Sequence, residues 1–227
     1  MLGKNSAPKV LMEKIIFVDK PSEMTSFGVV ARIRRILTEE AGQKVKVGHT
    51  GTLDPFATGL MVLLAGKATK KAPEYSKLDK IYEATIRLGA TSTTGDPEGD
   101  IHENTNVTEA ERAKLVQVLK GFVGEIEQTP PVFSAIKING ERAYKLARKG
   151  KEVEMPKRRV TIYSLELLDY AWPNLKIRTH VSSGTYIRSL AKDIGKELGV
   201  GAYVTNLRRT KVGEFDLSDV PLMAVPK

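Results

Sequence analysis

Polar and apolar positions change period several times along the chain, and each change marks an element. Lys14 to Lys20, KIIFVDK, is a short apolar-rich run stopped by Pro21 and predicts a strand. From Ser26, Val30, Ile33 and Leu37 recur at helical spacing until Gly42, with Arg32, Arg34 and Arg35 on the other face. Leu60 to Ala65, LMVLLA, is continuously apolar and of buried-strand length, whereas Lys80 to Leu88 alternates and puts Tyr82, Ala84, Ile86 and Leu88 on the core-facing side. Thr108 and Glu111 have capping-box spacing ahead of Leu115, Val118, Leu119 and Phe122, which predict a helix closed by Gly121 and Gly124.

The second half continues in the same manner. Gln128 to Gly140 reads as strand-like with a turn signal at Asn139-Gly140, followed by a short basic helix ending near Gly150. Val160 to Leu168 and Leu175 to Val181 predict a hairpin about Pro173-Asn174. Ile187, Leu190, Ala191, Ile194 and Leu198 predict a helix capped by Thr185 or Ser183 and closed by Gly199. LRRTKVGEF, beyond it, reads as an edge strand, and residues 1–13 as a loose, flexible arm. Strands and helices alternate without a regular βαβ period, so the expected class is α+β with a mixed sheet rather than a doubly wound fold.

Composition narrows the functional classes. The 227-residue chain carries 36 Lys and Arg against 27 Asp and Glu, a net charge of +9, which favours a polyanionic partner. The charge is polarised: Lys137 to Arg159 holds nine basic and three acidic residues, a net of +6. Ala90 to Glu111 holds Asp96, Glu98, Asp100, Glu103, Glu109 and Glu111 with no Lys or Arg, and is expected to be solvated surface turned away from a phosphate backbone. No apolar run approaches the roughly 18 residues of a membrane span. The chain has no cysteine, which excludes disulfides and thiolate metal sites and fits a cytoplasmic location.

Three features could carry chemistry. In GHTGTLDPFATG, Gly48 to Gly59, Asp54 precedes a proline and so projects from turn or extended backbone among glycines and threonines. It is either an Asx-turn residue or a reactive carboxylate. His49 beside it offers a flat ring for stacking on a base, or serves the turn. In SSGTYIRSL, Arg188 falls in the first turn of a helix, where the dipole disfavours a cation by about 0.3–1 kcal/mol, so an anion is expected to offset it. Tyr186, two residues earlier, is either core or a platform for a base.

These blocks resemble the TruB family of tRNA pseudouridine synthases. The matching stretches are KPSEMTS (Lys20 to Ser26), GHTGTLDPFATGLMVLLAGKATK (Gly48 to Lys70), KIYEATIRLG (Lys80 to Gly89), QTPPVFSAIKINGERAYKLARKG (Gln128 to Gly150) and SSGTYIRSLAKDIGKELGVGAYVTNLRR (Ser182 to Arg209). The resemblance implies the pseudouridine synthase fold, a mainly antiparallel central sheet flanked by helices, over residues 14–227, with a basic RNA-clasping insertion near 128–157. It implies isomerisation of the uridine at position 55 in the tRNA T loop, by base flipping and without cofactor or metal. Asp54 would be the catalytic nucleophile, Arg188 its partner, and Tyr82 the ring that stacks on the target base and helps remove the C5 proton. His49, Tyr186, Leu207, Lys20 and Lys67 would contact the RNA or the flipped nucleotide.

Two departures accompany the match. Glu23 stands where the family pattern K-P-x-G-x-T-S has glycine, and twelve residues after Phe215 are too few for the C-terminal PUA-like RNA-binding domain many members carry. The expected protein is a monomeric catalytic domain gripping the T arm of tRNA with its own basic surface. The rivals are a non-catalytic tRNA-folding protein, a synthase acting on another RNA, and an aspartyl-phosphate enzyme whose cation site would be the loop Asp96 to Glu103.

Overall fold

The computed structural model describes residues 12–138 and 140–226. In chain order the first elements are β1 (Glu13–Lys20), α1 (Ser26–Ala41), β2 (Val47–His49), β3 (Thr58–Gly66), a 3-10 turn (Lys67–Lys71), α2 (Ala72–Ser76) and β4 (Lys80–Leu88). A small pair, β5 (Ala90–Ser92) and β6 (Ile101–Glu103), precedes α3 (Arg112–Gly121) and β7 (Gly124–Gln128). A second small pair, β8 (Lys137–Ile138) and β9 (Glu141–Arg142), leads to α4 (Ala143–Arg148). The chain then forms β10 (Arg158–Ala171), β11 (Asn174–Val181), α5 (Ile187–Leu198), β12 (Ala202–Val212) and β13 (Phe215–Asp216).

One sheet organises these elements in the order β1-β3-β12-β4-β11-β10-β7, with β2 on β3 and β13 on β12. Its pairings are antiparallel except for the short parallel stretch Arg208↔Thr58 and Arg209↔Gly59. Helices α1, α3 and α5 bury Val29, Ile33, Leu37, Leu115, Leu119, Leu190 and Ile194 against one face, each large side chain worth about 1.5–3 kcal/mol. Strand β3 is apolar from Leu60 to Ala65 because both of its faces are covered. Met61 and Leu63 join that main core, while Leu60, Val62 and Leu64 pack toward Ala72 and Tyr75 of α2.

The predicted strands, the helix from Ser26 and the hairpin are present, with Gly42 and Gly199 as left-handed C-caps. Several local readings need correction. Leu207 to Val212 of LRRTKVGEF lie in β12, which sits between β3 and β4 in the middle of the sheet, and Phe215 begins β13. The polar residues of this stretch suggested an edge, but Arg209 is 2% exposed and satisfies its guanidinium on the carbonyls of Leu60 and Gly51. The capping box is not formed: Glu111 itself is the N-cap, and the Tyr170 hydroxyl holds the carbonyl of Ala110 at 2.7 Å, so residues 108–110 stay outside the helix. At α5 the N-cap is Tyr186, because Thr185 donates its hydroxyl back to the Ser182 carbonyl.

The strand-like reading of 128–140 also fails for the most part. Pro130 and Pro131 withhold two donors, so regular pairing there is confined to β8 with β9, and Asn139 of the turn signal lies outside the described residues. The β7 strand before it was missed; it pairs with β10 up to Gln128↔Arg158, so residues 129–157 leave the sheet and return to the same place. Of the expected flexible arm, residues 1–11 lie outside the described residues and Glu13 already belongs to β1.

Glu23 has φ 64, the left-handed region that a glycine would occupy freely. Glu23→Gly is therefore expected to stabilise the protein by about 0.5–1 kcal/mol, the strain relieved less the added freedom of the unfolded chain. A urea midpoint that rises at unchanged slope is the expected reading; a lowered midpoint would show that the Glu23 side chain outweighs its backbone.

Candidate active site

Asp54 lies on the loop between β2 and β3, and residues of the first motif pin that loop on both sides. Ser26, the first residue of α1, both donates its hydroxyl to the Leu53 carbonyl and accepts the Leu53 N–H, each at 2.8 Å. Lys20, fully buried at the end of β1, donates to the carbonyls of Pro21, Met24 and Pro55 at 2.8, 2.6 and 2.9 Å. The backbone on either side of Asp54 is thus held by an internal ammonium and a hydroxyl. Burial pushes the Lys20 ammonium down to about 8, and the Asp54 charge opposes that shift. Lys20 is a support for the loop rather than an exposed RNA contact.

Arg188 enters from the first turn of α5, 4% exposed, and meets the anion its position called for. Its Nε lies 2.9 Å from Asp54 Oδ2, out of line for a hydrogen bond, while a terminal nitrogen reaches Oδ1 at 3.3 Å. Three further contacts lock the guanidinium: Asp96 Oδ2 at 3.0 Å, the Thr94 carbonyl at 2.9 Å and the Phe133 carbonyl at 2.9 Å. Asp96 is 2% exposed and also accepts the Thr94 hydroxyl and the Glu98 N–H. The expectation of a solvated acidic loop is therefore wrong at its centre. Asp96, Glu98 and Asp100 line a cavity of about 940 Å³ that Arg142, Tyr144 and Arg148 line as well.

Asp54 lies deep in the protein yet keeps 31% of its side chain accessible, because it also opens onto a second cavity of about 240 Å³. Burial pushes its carboxyl up; the Arg188 guanidinium opposes this, and the Asp96 charge adds to the rise. The walls of the smaller cavity include Tyr82, Tyr186, Leu207, Lys80 and Arg209. Tyr82 and Leu207 reach it from β4 and β12, where the pairs Leu207↔Ala84 and Arg209↔Tyr82 lie two positions apart on the ladder. Tyr186 is held by its backbone, N–H to Gln128 Oε1 at 2.8 Å and carbonyl to Gln128 Nε2 at 3.1 Å.

Five of the residues singled out, Asp54, Tyr82, Tyr186, Arg188 and Leu207, thus converge on one cavity. His49 lines the larger one, with a buried Nδ1 that has no hydrogen-bond partner among the described residues. Burial, Arg209 and Arg142 all push its imidazole pKa down, which favours a neutral ring suited to stacking. Lys67 is exposed in the 3-10 turn beyond the far end of β3 and lines neither cavity. Asp96, Lys80 and Arg209 were missed. For Asp96 a signal was available, since TTGDPEGD repeats the Asp-Pro step between small and hydroxylic residues that marks Asp54.

A partly buried carboxylate gripped by a locked guanidinium, facing an aromatic and a leucine across a small cavity, can attack an electrophilic carbon of a flat-ringed substrate. Comparison with known proteins gives a family match. Residues 34–187 match the family described as TruB family pseudouridylate synthase (N terminal domain). Residues 188–226, which supply α5 and the central β12, match the tRNA pseudouridylate synthase B C-terminal domain. A tRNA pseudouridine synthase B from Phocaeicola vulgatus is 47% identical over 91% of this chain and 88% of its own. One from a Mycobacterium species is 48% identical over 93% of this chain and 71% of its own. Among solved structures, a Cbf5-Nop10-Gar1 complex contains a chain 33% identical over 92% of this one, with a TM-score of 0.69; this chain spans 51% of that one.

Proposed function

The chain belongs to the TruB family of pseudouridylate synthases, and we propose that it converts the uridine at position 55 of the tRNA T loop to pseudouridine with Asp54 as nucleophile. The observation that carries this reading is the Asp54–Arg188 pair opening onto the cavity walled by Tyr82 and Leu207. Only an extruded nucleotide reaches a carboxylate at that depth, and flipping costs a few kcal/mol, of which stacking on Tyr82 returns about 1–3 kcal/mol. The N1–C1′ bond breaks with Asp54 acting at the sugar, the base turns, and C5 bonds to C1′. The proton on C5 is lost and N1 gains one, so reactant and product are isomers.

Arg188 aims the carboxylate and Asp96 aims Arg188. An aspartyl-phosphate enzyme would need the acidic loop for a cation, but its central carboxylate is committed to Arg188. Incubating the protein with an unmodified tRNA transcript and mapping pseudouridine by carbodiimide primer extension tests the reading. A single stop at position 55 is expected. No stop on tRNA, with conversion of another RNA, would overturn the substrate assignment.

The basic segment is assigned to the phosphate backbone. Lys149, Lys157 and Arg159 are paired with Glu141, Glu127 and Glu125, whereas Arg142, Lys145, Arg148 and Lys151 are exposed, Arg148 lying 5.8 Å from the centre of the Tyr144 ring. Changing those four to glutamine is expected to flatten the dependence of log affinity on log salt by about 0.7–0.9 for each phosphate no longer neutralised. Single-turnover rate at saturating protein should change little. An unaltered slope would remove the segment from the RNA interface.

A further inference from the structure

We propose that Lys80 is a further catalytic residue: its ammonium donates a hydrogen bond to a carbonyl oxygen of the uracil ring as the glycosidic bond breaks, holding the charge the departing base acquires. This rests on the pseudouridine synthase reading above and extends it to the fate of the base. When N1–C1′ breaks, the bonding pair leaves with the base and spreads over its two carbonyl oxygens. It is consumed when C5 bonds to C1′, and Lys80 keeps its proton throughout.

Lys80 and Tyr82 occupy the same face of β4, separated by about 6.6 Å along the strand. Lys80 is 7% exposed and lines the 240 Å³ cavity. Its Nζ donates to the carbonyls of Ser76, at 2.9 Å, and of Leu78, leaving one N–H of the three. Arg209, the cross-strand partner of Tyr82, is likewise bonded to carbonyls alone, those of Leu60 and Gly51. Neither cation forms an ion pair among the described residues, while Arg188 has two carboxylates. The cavity is therefore anionic where Asp54 stands and cationic beside Tyr82.

That arrangement suits the base and not the RNA phosphates. A substrate whose C1′ faces Asp54 must extend its base toward Tyr82, while its phosphates continue into the rest of the RNA at the cavity mouth. Lys80 and Arg209 are too deeply buried to meet them there. Preorganised donors aimed at developing charge are a large contribution to catalysis, because they need no reorganisation when the bond breaks.

The ammonium also has a tunable charge. Burial pushes Lys80 down to about 8, Arg209 pushes the same way and Asp79 opposes. The groups around it are Asp79 just before β4, Tyr82 on β4, Arg209 and Lys211 on β12, His180 on β11 and Asp54 across the cavity; α2 contributes the Ser76 carbonyl. Asp79 is engaged with His180. Since the protonated form is the active one, the rate should fall as pH rises through about 8.

Single-turnover conversion of tRNA transcript by wild type, Lys80→Gln and Lys80→Arg, from neutral pH to about pH 10, tests this. Lys80→Gln is expected to slow the step about 10²-fold with tRNA affinity held within about twofold. Lys80→Arg is expected to retain most of the rate and to lose the fall near pH 8, since a guanidinium stays charged there. A helix-capping role alone would move melting temperature and leave the pH profile in place. A Lys80→Arg profile identical to wild type would overturn the proposal, as would a Lys80→Gln effect confined to affinity. Should Lys80→Gln fold poorly, Lys80→Arg decides. A wild type that makes pseudouridine in no RNA defeats the underlying reading instead.

Discussion

Asp54→Asn is expected to abolish pseudouridine formation, lowering the single-turnover rate by at least about 10⁴-fold, as loss of a nucleophile does in enzymes that attack through a side chain. The amide keeps the carboxylate's shape and one acceptor for Arg188, so the loop held by Ser26 and Lys20 has no reason to move. Binding of tRNA should therefore persist. Stability supplies a second reading. A carboxyl raised above its unfolded value contributes stability that is full below the unfolded pKa and lost as pH rises through the folded one. Burial places Asp54 in that class, so at neutral pH its ionisation weighs against the folded state. Asp54→Asn should accordingly hold or raise the melting temperature measured there. Retained activity would remove Asp54 from the chemistry, and unfolding would show that its charge supports Arg188 more than it serves the substrate.

The second large effect is expected at Asp96, which no contact with substrate need involve. Asp96→Asn withdraws the charge that Arg188 meets on its far side and leaves only a neutral amide oxygen there beside the carbonyls of Thr94 and Phe133. A rate loss of about 10²-fold is expected, the cost of a misaligned catalytic group. The pH profile should move in a separate direction. The Asp96 charge raises the Asp54 carboxyl, so its removal lowers that pKa and carries the acid limb of the rate to lower pH. A merely structural Asp96 would lower stability without shifting that limb. The prediction fails if rate and limb both match wild type.

Much of the fold follows from short-range pattern. The alternation in Lys80 to Leu88 places Tyr82 inward whatever the sheet around it, because successive strand side chains point to opposite faces. The continuous run in β3 marks a strand covered on both sides, and the glycines at 42 and 199 end their helices in the left-handed conformation that glycine tolerates. Asp54, held off any helix by Pro55, and Arg188, on the wrong end of its helix dipole, are each conspicuous for local reasons.

Partnership is another matter, since it depends on residues far apart in the chain. The sequence reads TTGDPEGD as charged, polar and therefore solvated, yet Asp96 is buried because a guanidinium 92 positions later needs a second anion. It reads β12 as an edge, because the cost of burying Arg209 is met by the carbonyls of Leu60, 149 positions away, and of Gly51. Gly59 records that junction: at φ +105, a Cβ there would lie 2.2 Å from the Arg209 carbonyl oxygen, a clash visible only once β3 and β12 are side by side. Lys20 reads as a cation free for RNA until three carbonyls are found around it. Periodicity and backbone chemistry act over a few residues and are written locally. The surroundings that decide whether a charge is solvated, paired or buried come from chain brought together by the sheet, and only the assembled structure contains them.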